Sequence, residues 1–168
     1  MPILHAIVLG VALLPATAAA PKAQPGTASG TVKINGQTAQ LKYAYLSTEK
    51  YDSGRKKGLV ITLSDVALDA AQVADQMGEL QSLARKGQFH GVRVSVGEDK
   101  QVYSTSVYHN ALKNWPTTSI TGVNEFEAQV FTPARVQGHA YMKSPYKGRE
   151  DEIFYDATFD ASGGARAK

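Results

Sequence analysis

Cysteine is absent from this chain of 168 residues, and its absence excludes several kinds of chemistry. A chain without a thiol forms no disulfide, uses no thiol nucleophile and offers no cysteine ligand to zinc or to an iron–sulfur cluster. A lipid anchor attached through cysteine is excluded as well. The stability of the fold must therefore come from its core.

A long hydrophobic run and a strong charge of one sign are also missing. The longest apolar run, residues 6–14, is too short for a membrane span, which requires about 20 apolar residues. Eighteen Lys and Arg against fifteen Asp and Glu give a formal net charge of +3, well below the basic footprint of a nucleic-acid-binding protein. We therefore expect neither a membrane span nor a nucleic-acid partner.

The motifs of common enzyme classes are missing too. The chain has no G-x-S-x-G elbow, no H-E-x-x-H, no P-loop and no G-x-G-x-x-G. The acidic run 150–152 lacks the alternating ligand spacing of a calcium loop. We therefore assign no catalytic residue, no metal ligand and no cofactor, and favour a protein that is not an enzyme.

The first twenty residues have the pattern of a secretory signal peptide. The apolar run 6–14 is followed by Pro15 and by small residues that offer A-x-A cleavage sites, although its n-region contains no Lys or Arg. We expect a signal peptide at 1–20, cleaved near Ala18 or Ala19, and a secreted or periplasmic product. A flexible leader at 21–28, a single β-rich domain at 29–161 and a disordered tail at 162–168 complete the predicted organisation.

Alternating apolar and polar residues predict strands through most of the domain. Asn35-Gly36 is typical of a type I′ turn, which pairs Ile34 with Gln37 and places Tyr43 and Tyr45 on the same face as Ile34. Short reversals join the later strands. We therefore expect an α+β, β-dominated fold, with about eight mainly antiparallel strands in a curled sheet or barrel and one amphipathic helix.

The predicted helix follows the third strand. Asp69 and Gln72 have the spacing of a capping box, and Gly87 is a typical C′ residue. Asp65 precedes the same helix, and capping explains it equally well. The apolar stripe that should pack on the sheet comprises Ala70, Val73, Met77, Leu80 and Ala84.

Several segments of the sequence resemble those of a known group of proteins. They are GTVKINGQ at 30–37, LKYAY at 41–45, LVITLSD at 59–65, GHAY at 138–141 and YDATFDA at 155–161. Together they resemble uncharacterised small secreted β-rich domains of bacterial proteins, over most of the mature chain. The resemblance implies export and a single domain, and it implies no activity, substrate or catalytic residue.

Histidine gives one geometric indication of a site. A short turn at 97–100 would set His90 opposite Val107, with His109 diagonally across from His90 at about 7 Å. Two imidazoles at that distance could approach one metal ion, but no third ligand is evident, so we interpret both as histidines at the rim of the core. His139 alternates with polar residues and is expected to be solvated.

The segment 108–116 has the best composition for binding. It combines the only tryptophan, Trp115, with Tyr108, His109, Asn110 and Asn114, a mixture that suits carbohydrate, peptide or protein contacts. An alternative is that Trp115 plugs an open end of the sheet. The basic turn that contains Arg55 and Lys56 is a second candidate contact.

We therefore expect an exported, non-catalytic binding or protein-interaction module that recognises a protein or glycan partner. A small periplasmic hydrolase, with a site assembled from scattered His, Asp and Ser residues, is one alternative. A lipocalin-like ligand carrier is another, with Tyr43, Tyr45 and Tyr103 lining its interior.

Overall fold

The structure, a computed structural model, describes residues 25–49, 58–74 and 78–163. These residues form ten strands and two helices. The elements are β1 (Gly26–Ile34), β2 (Gln37–Glu49), β3 (Gly58–Ser64), α1 (Ala70–Ala74), α2 (Glu79–Arg85), β4 (Gly91–Val96), β5 (Val102–Tyr108), β6 (Thr117–Ile120), β7 (Asn124–Phe131), β8 (Arg135–Met142), β9 (Tyr146–Lys147) and β10 (Glu152–Ser162).

All ten strands belong to one antiparallel sheet. Their order is β6-β5-β4-β3-β2-β1-β10-β8-β7, with β9 paired to β10 outside this path. The consecutive strands β6 and β7 lie at the two edges, so the sheet must curl to let the short 121–123 connection join them. The β-dominated α+β class with a curled antiparallel sheet is confirmed, in the form of a half-barrel.

The first hairpin has the predicted register. Ile34 pairs with Gln37, and Asn35 and Gly36 have φ values of 50° and 85°, as a type I′ turn requires. The concave face of the sheet holds the main core. Its members include Val32, Ile34, Leu41, Leu63, Val92, Val94, Val107, Tyr155 and Phe159.

The predicted face of two tyrosines is wrong. Leu41 lies in the main core, but so do Ala44 and Leu46, so the alternation along β2 changes phase between residues 41 and 44. This change occurs beside an irregular register in β1 and where the pairing of β2 passes from β1 to β3. Tyr43 and Tyr45 consequently face the helices.

The helices cover the convex face of the sheet. Val73 and Leu80 pack there with Tyr45, Phe89 and Tyr108 in a second apolar cluster. Two helices replace the single one expected. Residues 75–77, which connect the two helices, lie outside the described residues, and Gly78 occupies the N-cap of α2. Met77, which was predicted to belong to the apolar stripe, lies outside the described residues.

The capping box at the start of α1 is formed as predicted. The Asp69 backbone N–H donates to Gln72 Oε1 at 2.9 Å, and the Gln72 N–H donates to Asp69 Oδ1 at 2.8 Å. Gly87 ends α2 with a φ of 66°, and its N–H donates to the Ala84 carbonyl at 3.0 Å.

The ends of the sheet differ from the predicted boundaries. β1 begins at Gly26, inside the expected leader, because Gly26 pairs with Ala44 and Thr27 pairs with Asp160. β10 likewise reaches Ser162 in the expected tail, where it pairs with Arg135. The signal peptide, residues 21–24 and residues 164–168 lie outside the described residues. Among the described residues, no helix is long and apolar enough to cross a membrane.

Candidate functional site

An aspartate–histidine pair lies at one end of the central strands. Asp65 directly follows β3, and His90 directly precedes β4, so the pairing of these strands brings the two residues together. Asp65 Oδ2 lies 2.7 Å from His90 Nδ1, and Asp65 Oδ1 accepts the His90 backbone N–H at 2.8 Å. Both side chains are largely buried, with 18% of each exposed. This double contact fixes the orientation of the His90 ring.

The His109 ring contacts the His90 ring in a tilted arrangement, with 44° between the ring planes. Val92 pairs with Val107, so the ladder of β4 and β5 brings His109 directly beside His90, and the ring centroids are 4.4 Å apart. The predicted proximity of the two histidines is correct, but the predicted register is displaced by two residues. The turn accounts for one residue, because Val96 pairs with Val102 and not with Gln101, and an irregularity between Ser95 and Val96 accounts for the other.

His109 is held in its neutral form. Its Nδ1 accepts the backbone N–H of Ala111 at 3.0 Å, and only 3% of the residue is exposed. Burial, reinforced by the neighbouring His90, lowers the pKa of His109 from its ordinary 6.5 to about 4. Because Nδ1 is an acceptor, the proton of the neutral ring is on Nε2.

This tautomer makes the histidine pair a poor metal site. A ligating nitrogen needs a free lone pair, but Nε2 of His109 carries the proton and Nδ1 is engaged by the backbone. Within the described ranges, no group of three or more His, Asp or Glu side chains could hold a metal ion.

The pair opens onto a depression that we call the histidine hollow. His90 Nε2 lies 3.2 Å from Asn110 Oδ1, so each ring nitrogen of His90 has a side-chain oxygen within hydrogen-bond distance. The hollow has a volume of about 530 Å³. It is lined by Gln37, Thr38, Ala39, Gln40, Lys42, Asp65, Val66, His90, His109 and Asn110.

The aromatic loop beside the hollow is tied down at its base and at its centre. We define this loop as residues 109–116. The backbone N–H of His109 donates to the Pro116 carbonyl at 3.0 Å and closes the base. Leu112 is buried in the main core. Asn35 of the first hairpin donates to the Ala111 carbonyl at 2.9 Å.

The loop that precedes β10 holds the aromatic loop from a second direction. Asp151 Oδ1 accepts Asn35 Nδ2 at 2.7 Å and the Lys113 backbone N–H at 3.2 Å. Asn114 donates to Glu150. The conformation of the aromatic loop is therefore fixed by contacts with two other connections.

Trp115 points away from this scaffold. The residue is 64% exposed, so it does not plug the end of the sheet. It borders a second depression of about 430 Å³, which we call the tryptophan groove. The groove is lined by Arg85, Asn110, Leu112, Asn114, Trp115 and Pro116. A large aromatic surface is thus presented beside a cation and two amides.

The other predicted contact residues have different positions. Tyr108 is buried beneath the helices, and its ring lies 5.5 Å from that of Phe89, so it supports the site from behind. Arg55 and Lys56 lie outside the described residues. His139 is not simply solvated, because its Nε2 lies 2.8 Å from Asp156 Oδ1 and its ring stacks on Tyr141.

The tyrosines proposed to line a carrier interior do not share one cavity. Tyr45 packs under the helices, where its hydroxyl accepts the Leu68 backbone N–H at 2.7 Å. Tyr103 is an exposed residue on β5. The concave face is occupied by the side chains of the main core.

Two residues of the site were not identified from the sequence. Asp65 was assigned to helix capping, whereas it binds His90, 25 residues further along the chain. Arg85, the last residue of α2, was not among the candidate contact residues, but it lines the tryptophan groove. Comparison with protein-family models, with curated proteins and with solved structures gave no match, so the interpretation of this site depends on its own geometry.

Proposed function

We propose that this protein is an exported, non-catalytic binding module and that Trp115 is its principal contact residue. One observation supports this proposal above the others. A 64% exposed tryptophan is carried by a loop whose backbone is held by the core, by Asn35 and by Asp151. Such a loop loses little conformational freedom when it binds, so the area buried on the indole contributes to affinity with a small entropic cost.

The neighbouring side chains support recognition of a specific partner. Arg85 supplies a positive charge, and Asn110 and Asn114 supply amide donors and acceptors around the indole. An aromatic centre with a polar margin is the arrangement of an interaction hot spot. The absence of a recognisable enzyme motif in the sequence is consistent with a binding role.

The test is affinity capture from the exported fraction of the producing cells. We expect the wild-type chain to retain a partner that Trp115→Ala loses, with a melting temperature close to that of the wild type because the indole is exposed. Tyr146→Ala is the matched control, since Tyr146 is an exposed aromatic residue elsewhere on the surface. Equal retention by Trp115→Ala and the wild type would contradict the proposal.

A small hydrolase is a second candidate because of the Asp65–His90 pair. A buried carboxylate that orients a histidine is the arrangement of a general base, and the histidine hollow has room for a small substrate. His90 Nε2 would take a proton from water once the Asn110 side chain rotates away. We would measure hydrolysis of ester and phosphodiester panels, with Asp65→Asn and His90→Gln both expected to remove turnover. Turnover that survives His90→Gln would reject this candidate.

A further inference from the structure

We propose that the histidine hollow and the tryptophan groove form one continuous cleft whose ligand is a negatively charged oligosaccharide. This inference rests on the proposed function, because it uses Trp115 as a contact residue. It extends that function by naming a second subsite and the class of ligand.

The continuity of the cleft follows from Asn110. This exposed residue lines both depressions, and its side chain reaches His90 on the hollow side. Lys42 and Gln40 of β2 lie on the hollow side of Asn110, whereas Trp115 and Arg85 lie on the groove side. A ligand that occupied both depressions would pass over Asn110, so an extended molecule fits better than a compact one.

The uncharged residues of the cleft suit a sugar. Gln37, Gln40, Asn110 and Asn114 carry amides, which donate and accept hydrogen bonds as sugar hydroxyl groups do. Thr38 adds a hydroxyl group of the same dual character. The exposed face of Trp115 can cover the C–H face of a sugar ring. The cleft thus combines one apolar platform with several uncharged polar groups.

The charges of the cleft favour a negative ligand. Lys42 lies in the hollow and Arg85 lies in the groove, so each depression contributes one positive group. Positive groups along one cleft attract an anionic ligand.

The carboxylates around the cleft are engaged by the protein itself. Asp65 contacts His90, Asp151 accepts from Asn35 and Lys113, and Glu150 accepts from Asn114. A carboxylate bound in this way repels an approaching anion less than a free one does.

The probe is a short oligogalacturonate, compared with its methyl ester, which has the same sugar backbone without the charge. Because Trp115 is the only tryptophan, its fluorescence reports on the groove directly, and calorimetry gives the affinity of each variant. We expect the acid form to bind and to shift the Trp115 emission to shorter wavelength. The methyl ester should bind at least several-fold more weakly, and added salt should weaken the acid form.

The variants separate the two subsites. Trp115→Ala should weaken binding about tenfold or more. Lys42→Gln and Arg85→Gln, which remove one charge from each depression, should weaken it about three- to fivefold each. Lys100→Asn is the matched control. It removes an exposed positive charge in the β4–β5 turn at the opposite end of these strands, and asparagine tolerates the φ of 62° found there.

Three outcomes of the binding measurements, even with a probe that binds, would overturn the inference. They are equal affinity for the acid and the ester, equal affinity for a polyglutamate peptide of similar charge, and insensitivity to Lys42→Gln while Arg85→Gln has its effect. Failure of the wild type to bind the probe, with partner capture still dependent on Trp115, rejects this inference and leaves the proposed function intact. If Trp115→Ala retains the partner as well as the wild type does in the capture experiment, both this inference and the proposed function are rejected.

Discussion

Acid should destabilise this fold through His109, and the size of the effect follows from its buried position. Folding lowers the pKa of this imidazole from 6.5 to about 4, so the folded state favours the neutral ring. Each pKa unit corresponds to about 1.4 kcal/mol, so the full linkage is about 3 kcal/mol. His109 borders the histidine hollow, where water can approach the charged ring, so this value is an upper bound.

The sign and the pH window follow from the same shift. A histidine whose folded pKa is lowered contributes its full stability above pH 6.5, and this contribution falls as the pH decreases from 6.5 to about 4. At about pH 5 the loss amounts to roughly 2 kcal/mol. Protonation also removes the Nδ1 acceptor from the Ala111 N–H, so the aromatic loop should loosen over the same range.

The assay is chemical denaturation followed by far-ultraviolet circular dichroism at several pH values. The informative variant is His109→Asn, because the asparagine oxygen can still accept the Ala111 N–H but does not titrate. The free energy of unfolding of His109→Asn should therefore depend less on pH than that of the wild type, by up to about 3 kcal/mol over the window. His139→Asn, at a histidine outside this cluster, is the matched control. Parallel pH profiles for His109→Asn and the wild type would refute the reasoning.

Three further predictions concern packing, the hairpin turn and processing. Val73→Asp should cost about 3–5 kcal/mol in thermal or chemical unfolding, because it places an unpaired charge in the second apolar cluster, whereas Ala71→Asp on the exposed side of α1 should cost little. Asn35→Ala should cost about 2–4 kcal/mol, and Asn35→Gly should cost less, because glycine adopts the positive φ and loses only the hydrogen bonds. The intact mass of the exported protein should show cleavage near Ala18 or Ala19, and retention of residues 1–14 would contradict the signal-peptide prediction.

Features set by neighbouring residues could be predicted from the sequence. The type I′ turn at Asn35-Gly36 and the capping box at Asp69 and Gln72 depend on interactions across a few positions. Gly87, which ends α2 with a positive φ, also depends only on residues close to it in the sequence. Each of these features has a residue type that fits its backbone angles or its hydrogen bond far better than the alternatives do.

Features set by the curl of the sheet could not be predicted in this way. Tyr43 and Tyr45 lie on the other face because the pairing of β1 with β2 is irregular between Thr27 and Gly30, opposite this part of β2, and a pattern with a period of two contains no information on such an irregularity. The register of β4 and β5 depended on a bulge between Ser95 and Val96 and on a turn whose positive-φ position is occupied by Lys100, a residue type without a turn signal.

In the site, too, the features set by nearby residues could be predicted from the sequence, and those set by the pairing of distant strands could not. The sequence placed His90 and His109 near each other because both flank the same pair of strands. Asp65 was missed because its contact with His90 requires the pairing of β3 with β4, which no local pattern specifies. The exposure of Trp115 depends on which residues of the loop fill the end of the half-barrel, and Leu112 and Pro116 are buried there instead.

The pairing of β1 with β10 has a consequence for the order of folding. These two strands lie side by side in the interior of the sheet, yet among the described residues one is the first strand and the other is the last. During synthesis from the N-terminus, one edge of β1 therefore has no strand partner until β10 has been made. Because β7 and β8 are hydrogen-bonded to the rest of the sheet only through β10, the half-barrel can be completed only after β10 has been synthesised, so folding of this sheet depends on contacts between residues far apart in the sequence.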